Sequence, residues 1–149
     1  MQNNLNMSIF HFVNFEQFST PTLKMSRKYD IVVWGCTGFT GRLACEYIQA
    51  TYPDLKWAIG GRSVTVMEEL KKSLNLKSSV SILIGDINDS KSLRDIAAQT
   101  TVVLSTAGPY AKIGTPILSA CVEMSTHYCD ITGEVPWLRS VIDDFHADA

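Results

Sequence analysis

The sequence predicts an α/β fold, a Rossmann-type doubly wound, mostly parallel sheet truncated after about five strands. Three observations predict it. From Tyr29 onward, strand-like and helix-like patterns alternate. The first apolar run ends in a turn with three glycines, and a helical pattern follows that turn. The chain has 149 residues, enough for one domain with its own core and too few for two. Parallel neighbours need right-handed crossovers, which put helices on both faces and lead to the expected strand order 3-2-1-4-5.

The elements follow in chain order. Strands are expected at Tyr29–Trp34, Lys56–Gly60, Val80–Ile84, Thr101–Thr106 and Tyr128–Ile131, each short and rich in Val, Ile or aromatic residues. The first helix carries Leu43, Tyr47 and Ile48 at helical spacing across Arg42 to Ala50. The second spans Thr65–Leu76 with Met67, Leu70 and Leu74 on one stripe, and the third Ser90–Gln99 with Leu93, Ile96 and Ala97 inward. In the fourth, Thr115–Met124, Thr115 reads as N-cap and Pro116 as the first helical residue. The last begins near Pro136, with Leu138, Val141, Ile142 and Phe145 as its apolar face. A full fold of this kind has a sixth strand. The expectation is therefore a fragment of a larger protein, lacking a substrate domain, or a short product with an exposed fifth strand.

Composition narrows the partners. With 13 basic and 15 acidic residues and no basic tract, neither nucleic acid nor an anionic membrane is expected to bind. The longest apolar runs are strand length, short of the roughly 20 residues a transmembrane helix needs. Residues 1–28 differ from the rest, being rich in Asn, Phe, Ser and Thr, with Glu16 as the one acid and no clear period. They lack the marks of a signal peptide and read as a disordered or loosely docked extension before a domain at residues 29–149. Met25 offers an alternative start. Cys36, Cys45, Cys121 and Cys129 show no C-x-x-C spacing and read as buried reduced thiols. Cys36 is the one to watch, because a thiol at a helix N-terminus can be activated. His127 and Cys129 share a strand face without a third ligand, so no metal is expected.

The chemistry is concentrated at the predicted strand ends. Gly35-Cys36-Thr37-Gly38-Phe39-Thr40-Gly41 follows the first strand in G-x-x-G-x-x-G spacing. Without a Cβ, glycine lets backbone N–H groups approach a pyrophosphate, and a helix opening there adds its positive dipole end. The alternative is a glycine-rich surface turn with no ligand. After the second strand comes Gly60-Gly61-Arg62-Ser63, where an NAD-binding fold would carry an acid for the ribose 2′-hydroxyl. Arg62 and Ser63 suit a 2′-phosphate instead, so NADP(H) is favoured over NAD, unless Arg62 is a solvated surface residue. Asp54 precedes the strand and lies at the wrong end. Asp86, after the third strand, has two open readings: an acceptor for the adenine amine, or a cap for the next turn. After the fourth strand, Ala107, Gly108 and Pro109 give a small-residue loop that would admit the nicotinamide ribose, and Tyr110 either touches a ligand or packs structurally. Tyr52 and Lys56 have the spacing of a reductase pair, but Pro53 and their place before the second strand argue against that role.

The glycine turn, Trp57-Ala58-Ile59-Gly60-Gly61-Arg62-Ser63, Gly85-Asp86-Ile87, Gly108-Pro109-Tyr110 and Asp130-Ile131-Thr132-Gly133-Glu134 together resemble the N-terminal NADP-binding domain of saccharopine dehydrogenase-like oxidoreductases. The resemblance covers nearly all of residues 29–149. It implies a parent with a second domain supplying most of the substrate pocket, hydride transfer to a small-molecule substrate, and relatives among trans-acting enoyl reductases of lipid metabolism. It also implies an intracellular setting, cytoplasmic, mitochondrial or lipid-droplet-associated, and leaves homo-oligomerisation open. The glycine pattern is not that of the lysine-pathway enzyme, so saccharopine is not the expected ligand. Asp130 and Glu134 match a family motif, and a backbone-bonding role at the strand-to-helix junction fits them as well. The competing class is a non-catalytic nucleotide-sensing or partner-binding module, or an inactive truncated fragment. No catalytic residue can be assigned.

Overall fold

The structure is a computed structural model and describes residues 27–149. The expected extension therefore lies outside the described residues, apart from Arg27 and Lys28. Eleven elements follow: β1 Tyr29–Trp34, α1 Phe39–Thr51, β2 Trp57–Gly61, α2 Val64–Ser73, β3 Ser81–Ile84, α3 Ser90–Ala97, β4 Thr100–Ser105, α4 Tyr110–Ile113, α5 Thr115–Glu123, β5 His127–Asp130 and α6 Val135–Phe145. All five strands form one sheet in the order β3-β2-β1-β4-β5, and every pairing is parallel.

β1 sits at the centre because both of its faces are apolar. Val32 and Trp34 enter a core with Leu93, Ile96 and Ala97 of α3 and Ile117, Ala120 and Cys121 of α5. Val33 points the other way, into a core with Cys45 and Ile48 of α1 and Met67 and Leu70 of α2. Alternation along one strand thus feeds two helix layers, which is why a parallel sheet reads as a continuous apolar run. The register sets Val33 beside Ile59 and Leu104, so the carboxyl ends of β1, β2 and β4 finish level.

The strand order, the bounds of β1 and the inward faces of α2 and α3 match expectation, with other boundaries moved by at most three residues. Four expectations need correction. The buried positions of α1 are Gly41, Cys45 and Ile48, whereas Leu43 and Tyr47 are 49% and 59% exposed. Small residues let this helix lie close to the glycine turn, and that close approach outweighs the larger side chains. Thr115 does not cap α5: α4 runs up to Gly114, which is the cap residue, and Thr115 is already helical. The face of α6 is turned toward α4, burying Trp137 and Val141 and leaving Leu138 and Ile142 exposed. Cys129 is exposed rather than buried.

Arg27 fastens the start of the domain. Its Nη1 donates to the carbonyls of Ala97 and Ala98 at 3.1 and 2.6 Å, and its Nη2 donates to those of Met124 and Ser125 at 2.7 and 3.4 Å. One guanidinium thereby bonds carbonyls at the C-terminal ends of both α3 and α5, the Ala97 carbonyl also accepting from the Thr126 hydroxyl at 2.7 Å, and a cation there complements the helix dipoles.

Candidate functional site

The glycine turn lies at the carboxyl edge of the sheet, where the chain leaves β1 and where β2 and β4 diverge to either side. Gly35 has φ of 81°, in the left-handed region, and its N–H donates to the Gly60 carbonyl at 3.1 Å. A Cβ at Gly35 would fall 2.8 Å from both the Cβ and the backbone N of Ala107. At Gly41 it would fall 2.4 Å from the Gly35 carbonyl oxygen and 2.7 Å from the Cys36 Cα. These two glycines are therefore required by internal packing, Gly35 by its backbone angle as well.

Gly38 differs from both. A Cβ there would come no closer than 3.5 Å to the Gly35 carbonyl oxygen, an ordinary contact. Gly38 is the N-cap of α1 and is exposed, with no side chain capping the helix. Apart from Gly38 N–H to Gly35 O and Arg42 N–H to Gly38 O, the turn's backbone bonds inward only at Gly35. The first-turn N–H groups of Phe39, Thr40 and Gly41 have no acceptor among the described residues. An open helix N-terminus with bare backbone beside it suits an anion such as a pyrophosphate. Thr37 and Phe39 flank it, exposed, with Phe39 at 82%, and Thr40 is half-buried.

On the β2 side, Arg62 is exposed and makes no hydrogen bond or ion pair among the described residues. Ser63 is the N-cap of α2, and its hydroxyl accepts from the Val66 N–H at 3.5 Å, which leaves its own proton free to donate. No carboxylate lies in 60–63. Asp86 serves its own turn: its Oδ1 accepts from the Asn88 backbone N–H at 2.8 Å and from the Asn88 side chain at 3.0 Å. Asp89, not Asp86, caps α3.

On the β4 side, the Thr106 hydroxyl bonds the carbonyls of Trp34 and Gly35, each at 3.1 Å. This braces the loop Ala107, Gly108 and Pro109 against the glycine turn. Tyr110 is structural. Buried beneath the loop, it donates its hydroxyl to the Ser105 carbonyl at 3.0 Å and sets its ring 5.4 Å from that of Trp137. Burial raises its pKa above the ordinary 10.0. Cys36 is inert as well. It is fully buried, and burial pushes its pKa up to about 12, so the thiol fills space under the turn instead of acting as a nucleophile. Tyr52 closes α1 just before β2, at the opposite edge of the sheet.

Sequence reasoning missed the braces. Thr106 and the short helix α4 carried no periodic signal. The role of Glu134 was visible only as one of two readings: its carboxylate caps α4, accepting from the N–H groups of Tyr110 and Ala111 at 2.6 and 2.9 Å. An apolar-walled cavity of about 490 Å³ lies between α5, β5 and α6, lined in part by Leu118, Val141 and Phe145. It is on the β5 side, away from the glycine turn and Arg62.

A doubly wound parallel sheet with a glycine turn and open helix N-terminus at its switch point defines the nucleotide-binding domain of an oxidoreductase-like protein. The family model described as the saccharopine dehydrogenase NADP binding domain matches residues 31–149, and the chain belongs to that family. A trans-acting enoyl reductase of Mycobacterium bovis is 34% identical over 124 residues, covering 83% of this chain and 30% of that protein. Its counterpart in Mycobacterium ulcerans is 32% identical over the same coverage. The chain thus spans about a third of the length of these relatives. Among solved structures, saccharopine dehydrogenase (L-Glu forming) of Saccharomyces cerevisiae shares the fold, with a TM-score of 0.61 at 17% identity over 76% of this chain and 24% of that one. A short-chain dehydrogenase/reductase of Veillonella parvula in complex with NADP gives 0.57 at 16% identity, over 70% and 48% respectively. Among the described residues, no helix is long and apolar enough to cross a membrane.

Proposed function

We propose that this chain is the NADP(H)-binding part of an oxidoreductase acting in lipid metabolism, on a small-molecule substrate held mainly by protein beyond residues 29–149. The observation that carries the cofactor choice is the end of β2. An exposed, unpaired Arg62 stands beside the Ser63 hydroxyl with no carboxylate next to them. A planar guanidinium and a free hydroxyl proton suit a ribose 2′-phosphate, whereas a 2′-hydroxyl calls for an acceptor that is missing there.

The residues divide the work. Backbone N–H groups of Phe39 to Gly41 would hold the pyrophosphate, Gly38, Thr37 and Phe39 would border it, and Arg62 and Ser63 would select the 2′-phosphate. Ala107, Gly108 and Pro109 would leave room for the nicotinamide ribose. When bound, the reduced nicotinamide supplies a hydride. The names of the mycobacterial relatives support an enoyl group as acceptor. Replacing Arg62 with Glu tests the reading: affinity for NADPH should fall at least roughly tenfold, equivalent to about 1.4 kcal/mol, with NADH affinity little changed. Equal losses for the two would refute the assignment of Arg62.

A further inference from the structure

We propose that Glu134 is a positioning residue for the nicotinamide half of the dinucleotide, acting by holding the loop after β4 in place. The inference rests on the cofactor reading above and adds a residue on the other side of the cleft. The Glu134 carboxylate uses both oxygens, on the N–H groups of Tyr110 and Ala111 at 2.6 and 2.9 Å. These donors open α4, directly after Ala107, Gly108 and Pro109. A charged acceptor on two first-turn donors is the strong form of a cap. The bond joins two loops 23 residues apart in sequence, one leaving β4 and the other leaving β5.

The carboxylate is itself held. The Glu134 N–H donates to the Thr132 hydroxyl at 3.0 Å, and the Thr132 N–H to Asp130 Oδ1 at 3.0 Å. A second tie runs through Tyr110, whose hydroxyl donates to the Ser105 carbonyl and accepts from the Ile131 N–H at 3.5 Å. A third is the Trp137 indole, which donates to the Thr115 hydroxyl at 2.9 Å. Gly114 completes the closure, because a Cβ there would lie 2.9 Å from the Trp137 ring. The loop after β4 is thus bonded from the β5 side and touches the glycine turn through Ala107.

A dinucleotide laid across the switch point puts its adenosine over β2 and β3 and its nicotinamide over β4 and β5. Glu134 acts on the second half alone, and Arg62 and Ser63 on the first. The two halves can therefore be separated with ligands. We would titrate the wild-type chain, Glu134→Gln and Tyr110→Phe by calorimetry with 2′,5′-ADP, which lacks the nicotinamide, and with NADPH, whose nicotinamide fluorescence gives a second readout. Circular dichroism would establish that each variant is folded.

In Glu134→Gln an amide N–H₂ meets a backbone N–H, and one cap bond is lost. The expected result is an unchanged 2′,5′-ADP affinity, within about twofold, with NADPH affinity lowered roughly five- to tenfold. Tyr110→Phe, which keeps the ring packing, should show the same selectivity at smaller size. If both ligands weaken equally in Glu134→Gln, Glu134 is only a stabilising cap and the inference fails. If neither ligand weakens, it fails as well. A folded wild type that binds 2′,5′-ADP no better than 5′-AMP would overturn the cofactor reading, and this inference with it.

Discussion

The glycine turn makes two different demands, and a pair of alanine substitutions should separate them. At Gly41 the added methyl would sit 2.4 Å from the Gly35 carbonyl oxygen, 2.7 Å from the Cys36 Cα and 2.8 Å from the Thr106 hydroxyl. Two of those neighbours are backbone, so no rotamer change relieves the contact, and α1 must move outward from β1. Overpacking of this kind costs about 1–3 kcal/mol, offset by up to about 1 kcal/mol from the better helix propensity of alanine. A net loss of about 1–2 kcal/mol should lower the melting temperature by roughly 3–8 °C for a domain of this size.

At Gly38 the nearest atom to the added methyl is 3.5 Å away, and an N-cap change from Gly to Ala costs at most about 1 kcal/mol. Gly38→Ala should therefore melt close to wild type. Its methyl, however, would stand beside the open N–H groups of α1, and NADPH affinity should fall at least tenfold, about 1.4 kcal/mol. Scanning calorimetry and NADPH titration on both variants provide the check. A Gly41→Ala protein as stable as wild type would refute the packing argument, and a Gly38→Ala protein with unchanged affinity would refute the placement of the pyrophosphate.

Other parts of the structure can be tested independently. Arg27→Ala removes a cation from four carbonyls on two helix ends and should cost about 1–3 kcal/mol in urea unfolding, whereas Lys28→Ala should cost little. The buried thiols Cys36, Cys45 and Cys121 have pKa values raised from 9.0 to about 12 by burial. Their contribution to stability is full below the unfolded value near 9 and is lost as pH rises from there toward 12. Unfolding free energy should then decline above pH 9 by up to about 1.4 kcal/mol per pH unit for each thiol. A flat profile from pH 8 to pH 10 would contradict it. In the folded chain at pH 8, iodoacetamide should label exposed Cys129 before Cys36, as read by peptide mass spectrometry. Earlier labelling of Cys36 would show that the turn opens.

What was legible in the sequence follows from how local the signals are. β1 and the glycine turn were readable because an apolar run and three glycines lie next to each other, and α3 because Leu93, Ile96 and Ala97 are its large or small apolar residues on a polar background. The face of α1 was misread because burial there is decided by closeness to the turn, which favours Gly41 and Cys45 over Leu43 and Tyr47. The face of α6 depends on a long-range partner, the Tyr110 ring that receives Trp137. Helix α4 is too short for periodicity to show, and its cap, Glu134, comes from another loop. Within the site, the glycines and Arg62 were visible as residue types at known positions. Asp86 was legible only as a carboxylate at a strand end, and the turn bond that its Oδ1 makes to Asn88 leaves Oδ2 open toward an adenine amine.

On the reading proposed above, this domain takes NADP(H) through its glycine turn and the β2 end. Isothermal titration of the 149-residue chain with NADPH and with NADH tests it most directly. NADPH should bind saturably and at least tenfold more tightly than NADH, equivalent to about 1.4 kcal/mol. Equal affinity for the two, or no binding of either by a chain shown to be folded, would contradict it.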